Sequence, residues 1–340
     1  MNWKDWRILS GATLAAILGA AAMAWHAWLR PMPVGADRLV TVHPGSTARR
    51  IGDELRSAGV VRSGTVFYAW ARATGAASEL KAGQYIMAPG ISYAGAVEVL
   101  RRGEVVTHPL TVPEGLTVPE VAARIAEATG EAADSVLAMM EQPGMVDSLG
   151  VPGPTLEGYL MPETYRFAAG VSAAAVVRTM TEQHLAFWGP DELAQADSLG
   201  MDVREVVTLA SIVQEEMYLA EEGPRIAGVF RNRLRIGMPL QADATVQYAL
   251  QQAFGQRTER LLFGDIDAVE DHPYNTYTRA GLPPGPVASP GEAALRAALA
   301  PEDHQFLYFM AQVDGSHEFS RTLAEHNRAV ARARAARPGG

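Results

Sequence analysis

Glu215 and Glu216 are adjacent acids at the end of a run, Ala210-Ser211-Ile212-Val213-Gln214, that is otherwise mostly apolar. Upstream, Asp202-Val203-Arg204-Glu205 has the form of a helix start, a short acceptor side chain followed three residues later by Glu. Gly223-Pro224 has the form of a stop. The helix so predicted runs to about Glu222. At about 100° per residue, Val206, Leu209, Ala210, Val213, Met217 and Ala220 share one face. Glu216 falls at the margin of that face, between Ile212 and Leu209, and Glu215 falls toward solvent. A carboxyl group beside apolar side chains loses hydration, which raises its pKa and lets it hold a proton near neutral pH. A general acid needs that property. The alternative for Glu216 is a pair with a buried arginine, for which Arg225, Arg231, Arg233 and Arg235 stand close by in the chain.

Two further segments carry polar groups among residues that restrict the chain. Glu157 lies in Leu156-Glu157-Gly158-Tyr159-Leu160-Met161-Pro162, too rich in Gly, Pro and aromatics for an exposed linker. It is either a site acid or an acid at a turn. Asn275 and Tyr277 precede Gly281-Leu282-Pro283-Pro284-Gly285-Pro286, a stiff extended turn. An amide and an aromatic ring held together suit a sugar, through hydrogen bonds to hydroxyl and acetamide groups and a flat surface for the C–H face. A structural loop is the other reading. Asp243 reads as the N-cap of a helix that starts near Leu240. His304, His317 and His326 lack metal-ligand spacing and read as structural or exposed.

The elements that position these residues belong to a chain of 340 residues and 36.4 kDa, long enough for about two domains. The net charge is −9, and Lys4, Arg7 and Arg30 lie near the N-terminus, so the excess of acid belongs to the rest. That balance argues against a nucleic-acid binder, which needs a basic face. The absence of cysteine excludes disulfides, thiolate nucleophiles and Cys-ligated zinc.

Ile8 to Trp25 is uncharged and flanked by Trp3, Trp6 and Trp28, with Lys4 and Arg7 before it. This predicts a single-pass transmembrane helix with its N-terminus in the cytoplasm and the remaining chain outside. The small residues Ala20, Ala22 and Ala24 leave a cleaved signal peptide as the alternative. Beyond this span the sequence repeats. Leu39-Val40-Thr41-Val42-His43-Pro44-Gly45 returns as Pro109-Leu110-Thr111-Val112-Pro113-Glu114-Gly115. Each copy is an alternating strand, a turn and a helix start, and Ile51 and Leu55 match Val121 and Ile125 as core positions. Helices near 66–73 and 94–102 and a strand at 83–87 complete a small α+β module. The unit resembles LysM domains, which bind the N-acetylglucosamine chains of cell walls; a generic α+β spacer is the alternative.

The expected fold is therefore α+β. It comprises an anchor over 1–31, a LysM-like α+β module over 32–150 and a mainly helical domain over 151–340. The last boundary is expected at Val151-Pro152-Gly153-Pro154. In the third segment Ser289 is expected to cap a helix to about Leu299, a small β-hairpin turns at Asp314-Gly315, and Thr322 caps the final helix.

The order of these blocks, with Val229-Phe230-Arg231-Asn232-Arg233-Leu234 and Asn275-Thr276-Tyr277, resembles the YceG-like family of endolytic murein transglycosylases across essentially the whole chain. The family's catalytic glutamate matches Glu216. Gln214 stands where members often carry another acid. The resemblance implies cleavage of the β-1,4 bond between N-acetylmuramic acid and N-acetylglucosamine within peptidoglycan strands. The C6 hydroxyl of the sugar is the nucleophile, 1,6-anhydro ends form, and nascent strands stop growing. One carboxyl group acting twice suffices, with no metal or cofactor. Glu157, Gln241, Thr245, Asn275 and Tyr277 are the expected substrate-positioning residues. The implied partners are peptidoglycan glycan strands and peptidoglycan synthases, at the inner membrane. A hydrolase using Glu157 as second carboxylate and a non-catalytic wall-binding scaffold are the competing functions.

Overall fold

The computed structural model describes residues 36–87, 91–258 and 260–336. The anchor expected over residues 1–31 lies outside the described residues. Among the described residues no helix is long and apolar enough to cross a membrane. The fold is α+β, with helices and two-stranded antiparallel ribbons. The chain divides into two compact units. One comprises residues up to His108 plus Arg166–Gly170, and the other Pro109–Tyr165 plus Val171 onward. The boundary expected near Val151 thus falls inside the second unit, because the helices from Val118 to Leu149 pack with the helices C-terminal to them.

In the first unit β1 (Arg38–Val42) pairs antiparallel with β2 (Gly83–Met87), Val40 opposite Tyr85. Val40, Val42, Tyr85 and Met87 point inward, the alternation a half-buried ribbon requires. The helices are α1 (Ala48–Ser57), α2 (Gly64–Ala73) and α3 (Tyr93–Arg102). They close over the ribbon with Ile51, Leu55, Phe67 and Leu100. α1 and α2 touch backbone to backbone: a Cβ on Gly52 would lie 2.5 Å from the Gly64 carbonyl oxygen.

The second copy of the repeat has the same local form. β3 (Thr107–Val112) buries Leu110 and Val112, and α4 (Val118–Thr129) buries Val121 and Ile125. Glu120 Oε2 accepts from the Thr117 N–H and hydroxyl, both at 2.7 Å. β3 pairs with β4 (Glu163–Ala168). Next along the chain are α5 (Ala133–Met140), α6 (Pro143–Leu149), α7 (Ala173–Ala186) and α8 (Pro190–Leu199).

The centre of the second unit is α9 (Val203–Glu216), packed against α10 (Gly223–Arg235), α11 (Asp243–Phe254) and α13 (Glu292–Leu299). Between α11 and α13 lies the short α12 (Phe263–Ala268). The hairpin of β5 (Tyr308–Ala311) and β6 (His317–Ser320) and the helix α14 (Leu323–Ala336) complete the unit. Three local expectations change. α9 stops at Glu216 rather than near Glu222, because Met217 is extended (φ −86°, ψ 107°). Met217 and Ala220 therefore do not extend the α9 stripe. Gly291, not Ser289, is the N-cap of α13, and Ala242, not Asp243, is the N-cap of α11.

Candidate active site

The sequence builds α9 as an acid-bearing helix whose middle is buried on every side. Asp202 Oδ1 accepts from the Glu205 N–H at 2.8 Å and Glu205 Oε2 accepts from the Asp202 N–H at 2.9 Å, so the start is locked. Every residue from Val206 to Val213 is buried, which fixes the helix rotation. Glu216 is the final helical residue. The negative end of the helix dipole there adds to the cost of ionising it.

Glu216 lines a cavity of 310 Å³ with Arg233, Gln241, Asp243, Tyr277 and His326. Its carboxyl makes no hydrogen bond or ion pair with any described residue. Its pKa is pushed up to about 7, first by burial, then by the Asp243 and Glu215 carboxylates, with Arg233 acting the other way. Arg233 is the arginine that approaches, but its guanidinium is committed elsewhere. Nε donates to the Leu307 carbonyl at 2.7 Å and Nη1 to the Leu240 carbonyl at 2.5 Å. Glu216 is thus an unpaired carboxyl poised between its two protonation states at neutral pH.

The opposite wall is held by α11 and the loop after α12. Tyr277 donates its hydroxyl to Asp243 Oδ1 at 2.5 Å. Gln241 has φ +48°, the left-handed region a side chain seldom occupies, and its N–H donates to the Thr276 carbonyl at 3.0 Å. Strain of this kind costs about 1–3 kcal/mol and is held in place by the surrounding structure. Here Thr245 and Thr276 hold it. The Thr245 hydroxyl donates to the Ala242 carbonyl at 2.7 Å and lies 2.8 Å from the Thr276 hydroxyl, which accepts from the Ala242 N–H at 3.1 Å.

Of the expected positioning residues, Gln241 and Tyr277 join Glu216 in the cavity. Thr245 and Asn275 do not line it and are fully buried behind it. The Asn275 amide donates to the Ile266 and Val269 carbonyls, both at 3.0 Å, and its oxygen accepts from the Tyr277 N–H at 3.0 Å. It orients the Tyr277 backbone, and its amide has no free donor for a sugar. Glu157 lines a separate cavity of 470 Å³. Both its oxygens accept from the Val118 N–H at 3.2 Å, at the start of α4, and burial pushes its pKa up to about 8.

Sequence reasoning missed Asp243, Tyr308 and His326 as wall residues. Asp243 has the mark of a helix N-terminus, and its true partner lies 34 residues away. The alternation Gln241-Asp243-Thr245 was the available signal. His326 stacks on Tyr308 at 5.5 Å and 27°, and its buried Nδ1 has no hydrogen-bond partner. No spacing rule joins β5 to α14. Glu215 is not a free surface charge either. Its side chain is 23% exposed, lies 3.7 Å from Arg257 Nη1 and abuts Gly115, and burial raises its pKa.

The profile of the YceG-like family matches residues 40–332. The chain belongs to the YceG-like family. A Bacillus subtilis (strain 168) relative named endolytic murein transglycosylase is 31% identical over 331 residues, covering 92% of this chain and 90% of its own. A Streptococcus pneumoniae (strain R6) relative of the same name is 30% identical over 89% of this chain and 60% of its own length. The crystal structure of a YceG-like protein from Listeria monocytogenes superimposes with a TM-score of 0.58 at 31% identity, covering 86% of this chain and 99% of that one.

Proposed function

We propose that this chain is an endolytic murein transglycosylase. It cleaves the β-1,4 bond between N-acetylmuramic acid and N-acetylglucosamine within glycan strands and leaves 1,6-anhydro ends. The observation that carries the reading is the unpaired Glu216 carboxyl, with its pKa near 7, in an open cavity of a chain whose relatives bear that name.

Protonated Glu216 gives its proton to the glycosidic oxygen as the bond from that oxygen to muramyl C1 breaks. The resulting carboxylate takes the proton of the C6 hydroxyl as the C6 oxygen bonds to C1. Glu216 ends as it began, so one carboxyl serves the whole cycle. The nucleophile belongs to the same sugar ring, and this proximity replaces the ordering of a water. The Asp243 carboxylate, held by Tyr277, disfavours a second negative charge at Glu216 and keeps the acid loaded. Gln241 and Tyr277 contact the sugar. Thr245, Asn275 and Glu157 act through the backbone that each holds.

Asp243 also gives a hydrolase reading one foothold, since two carboxylates share the cavity. Mass spectrometry of murein fragments separates the two. Anhydro-muramyl ends are expected, and reducing ends carrying the mass of an added water would establish hydrolysis.

The remaining parts of the reading rest on the sequence. The span Ile8–Trp25 anchors the chain in the inner membrane with the catalytic unit outside the cytoplasm. The strand–turn–helix unit binds N-acetylglucosamine chains as LysM domains do. Cleavage near sites of synthesis, beside peptidoglycan synthases, terminates growing strands.

A further inference from the structure

α10 is a wall shared by two hollows. Phe230 and Arg233 face the Glu216 cavity, whereas Arg231, Leu234 and Arg235 line a second groove of 760 Å³. The loops beside it are shared in the same way. Pro239 bridges Ala280, with Gln241 and Tyr277 in the cavity and Leu282, Pro283 and Pro284 in the groove. The groove and the catalytic cavity thus lie against different faces of the same helix and beside the same pair of loops.

Its chemistry differs from that of a sugar site. Arg231 and Arg235 are exposed, and no described residue forms an ion pair or hydrogen bond with either guanidinium. Arg204 joins them, with one Nη2 hydrogen held by the Pro284 carbonyl. The groove's two acids, Asp202 and Glu205, are taken up by the backbone N–H groups at the start of α9. Three arginines against Asp202 and Glu205 leave the groove with a small positive balance between apolar walls, on a chain of net charge −9.

We infer that this groove is a docking site for the anionic peptide stems of the murein substrate. The inference rests on the proposed function. Each muramyl residue carries a short peptide with methyl side chains and free carboxylates. A strand seated at Glu216 must direct that peptide away from the reacting bond. Guanidinium forks suit carboxylates, and the Leu and Pro walls suit alanine methyl groups. The charge match supplies selectivity for stem-bearing strands and a dependence on salt.

The test uses the full-length chain with Glu216→Gln, which binds without cleaving. Its affinity is measured for soluble glycan strands whose stem carboxylates are free or converted to methylamides. Tighter binding of the free-acid strands is expected, several-fold to about tenfold for exposed charge pairs, and weakening with salt. Adding Arg231→Gln and Arg235→Gln, both exposed positions, removes that preference and leaves the methylamide affinity unchanged. Equal binding of the two strands, or an equal loss for both in the arginine variant, overturns the inference while leaving the murein reading standing. Failure of the Glu216→Gln chain to bind either strand removes both.

Discussion

A carboxyl that must first give a proton and then take one works best with a pKa near the working pH. At Glu216 that value comes first from burial, then from Asp243 and Glu215, with Arg233 opposing them. Because the folded value of about 7 lies above the ordinary carboxylate value, the acid is loaded below pH 7 and lost above it. kcat/KM is therefore expected to fall as pH rises through about 7. Asp243→Asn removes a like charge, so that limb should move to lower pH by roughly one unit, with activity retained at acidic pH. An unmoved limb, or activity lost at every pH, would show that Asp243 acts otherwise. Glu157 gives a prediction of stability rather than rate. Glu157 and Glu216 both bind protons more tightly folded than unfolded. Their stabilising contribution is full below about pH 4.5 and is lost as pH rises toward about 8. Glu157→Gln keeps an acceptor for the Val118 N–H and removes the titration. Thermal unfolding at pH 5 and pH 8 should then show a smaller difference than in the wild type.

Among the elements, α9 shows most clearly what a sequence discloses. Its cap and the place of Glu216 beside apolar side chains come from spacing, because local hydrogen bonds and the apolar pattern decide them, whereas the burial of Val207, Thr208 and Ser211 off that stripe does not. Nor does its C-terminus. Gly223-Pro224 marks where α10 begins, and nothing local reveals that Met217 leaves the helix and packs back over Gly223. Gln214 is a second case. Its oxygen accepts from the Gly291 N–H at 3.0 Å and its amide donates to Glu114 Oε2 at 3.0 Å. A site that needs one donor and one acceptor fits an amide and not an acid. Gln214→Glu should lower stability at pH 7 by about 1 kcal/mol, discounted for exposure. Glu114→Gln in the same chain should restore it, and chemical denaturation of the three variants provides the measurement. The opposite wall of the cavity was the least legible part. Asp243 meets Tyr277, and Tyr308 meets His326, only after loops and helices have folded together, and sequence distance hides such pairs.

At the scale of the molecule, the repeat and the helical block were readable, whereas the division between units was not. Val151-Pro152-Gly153-Pro154 looks like a linker, yet α4, α5 and α6 pack with the helices beyond it, so the second unit starts at Pro109. The full-length protein is expected to fractionate with membranes and to retain its first residues, and N-terminal sequencing that starts after Ala22 or Ala24 would replace the anchor with a cleaved signal. The central claim is that one carboxyl performs both proton transfers. Its most direct test compares the wild type, Glu216→Gln and Glu221→Gln, the last an exposed acid five residues on. Each is incubated with murein, and anhydro-muramyl fragments are counted by mass spectrometry. The wild type and Glu221→Gln should release them alike, and Glu216→Gln should be slower by at least about 10²–10⁴-fold with an unchanged fold. Anhydro products from Glu216→Gln at a rate near that of the wild type would contradict the account.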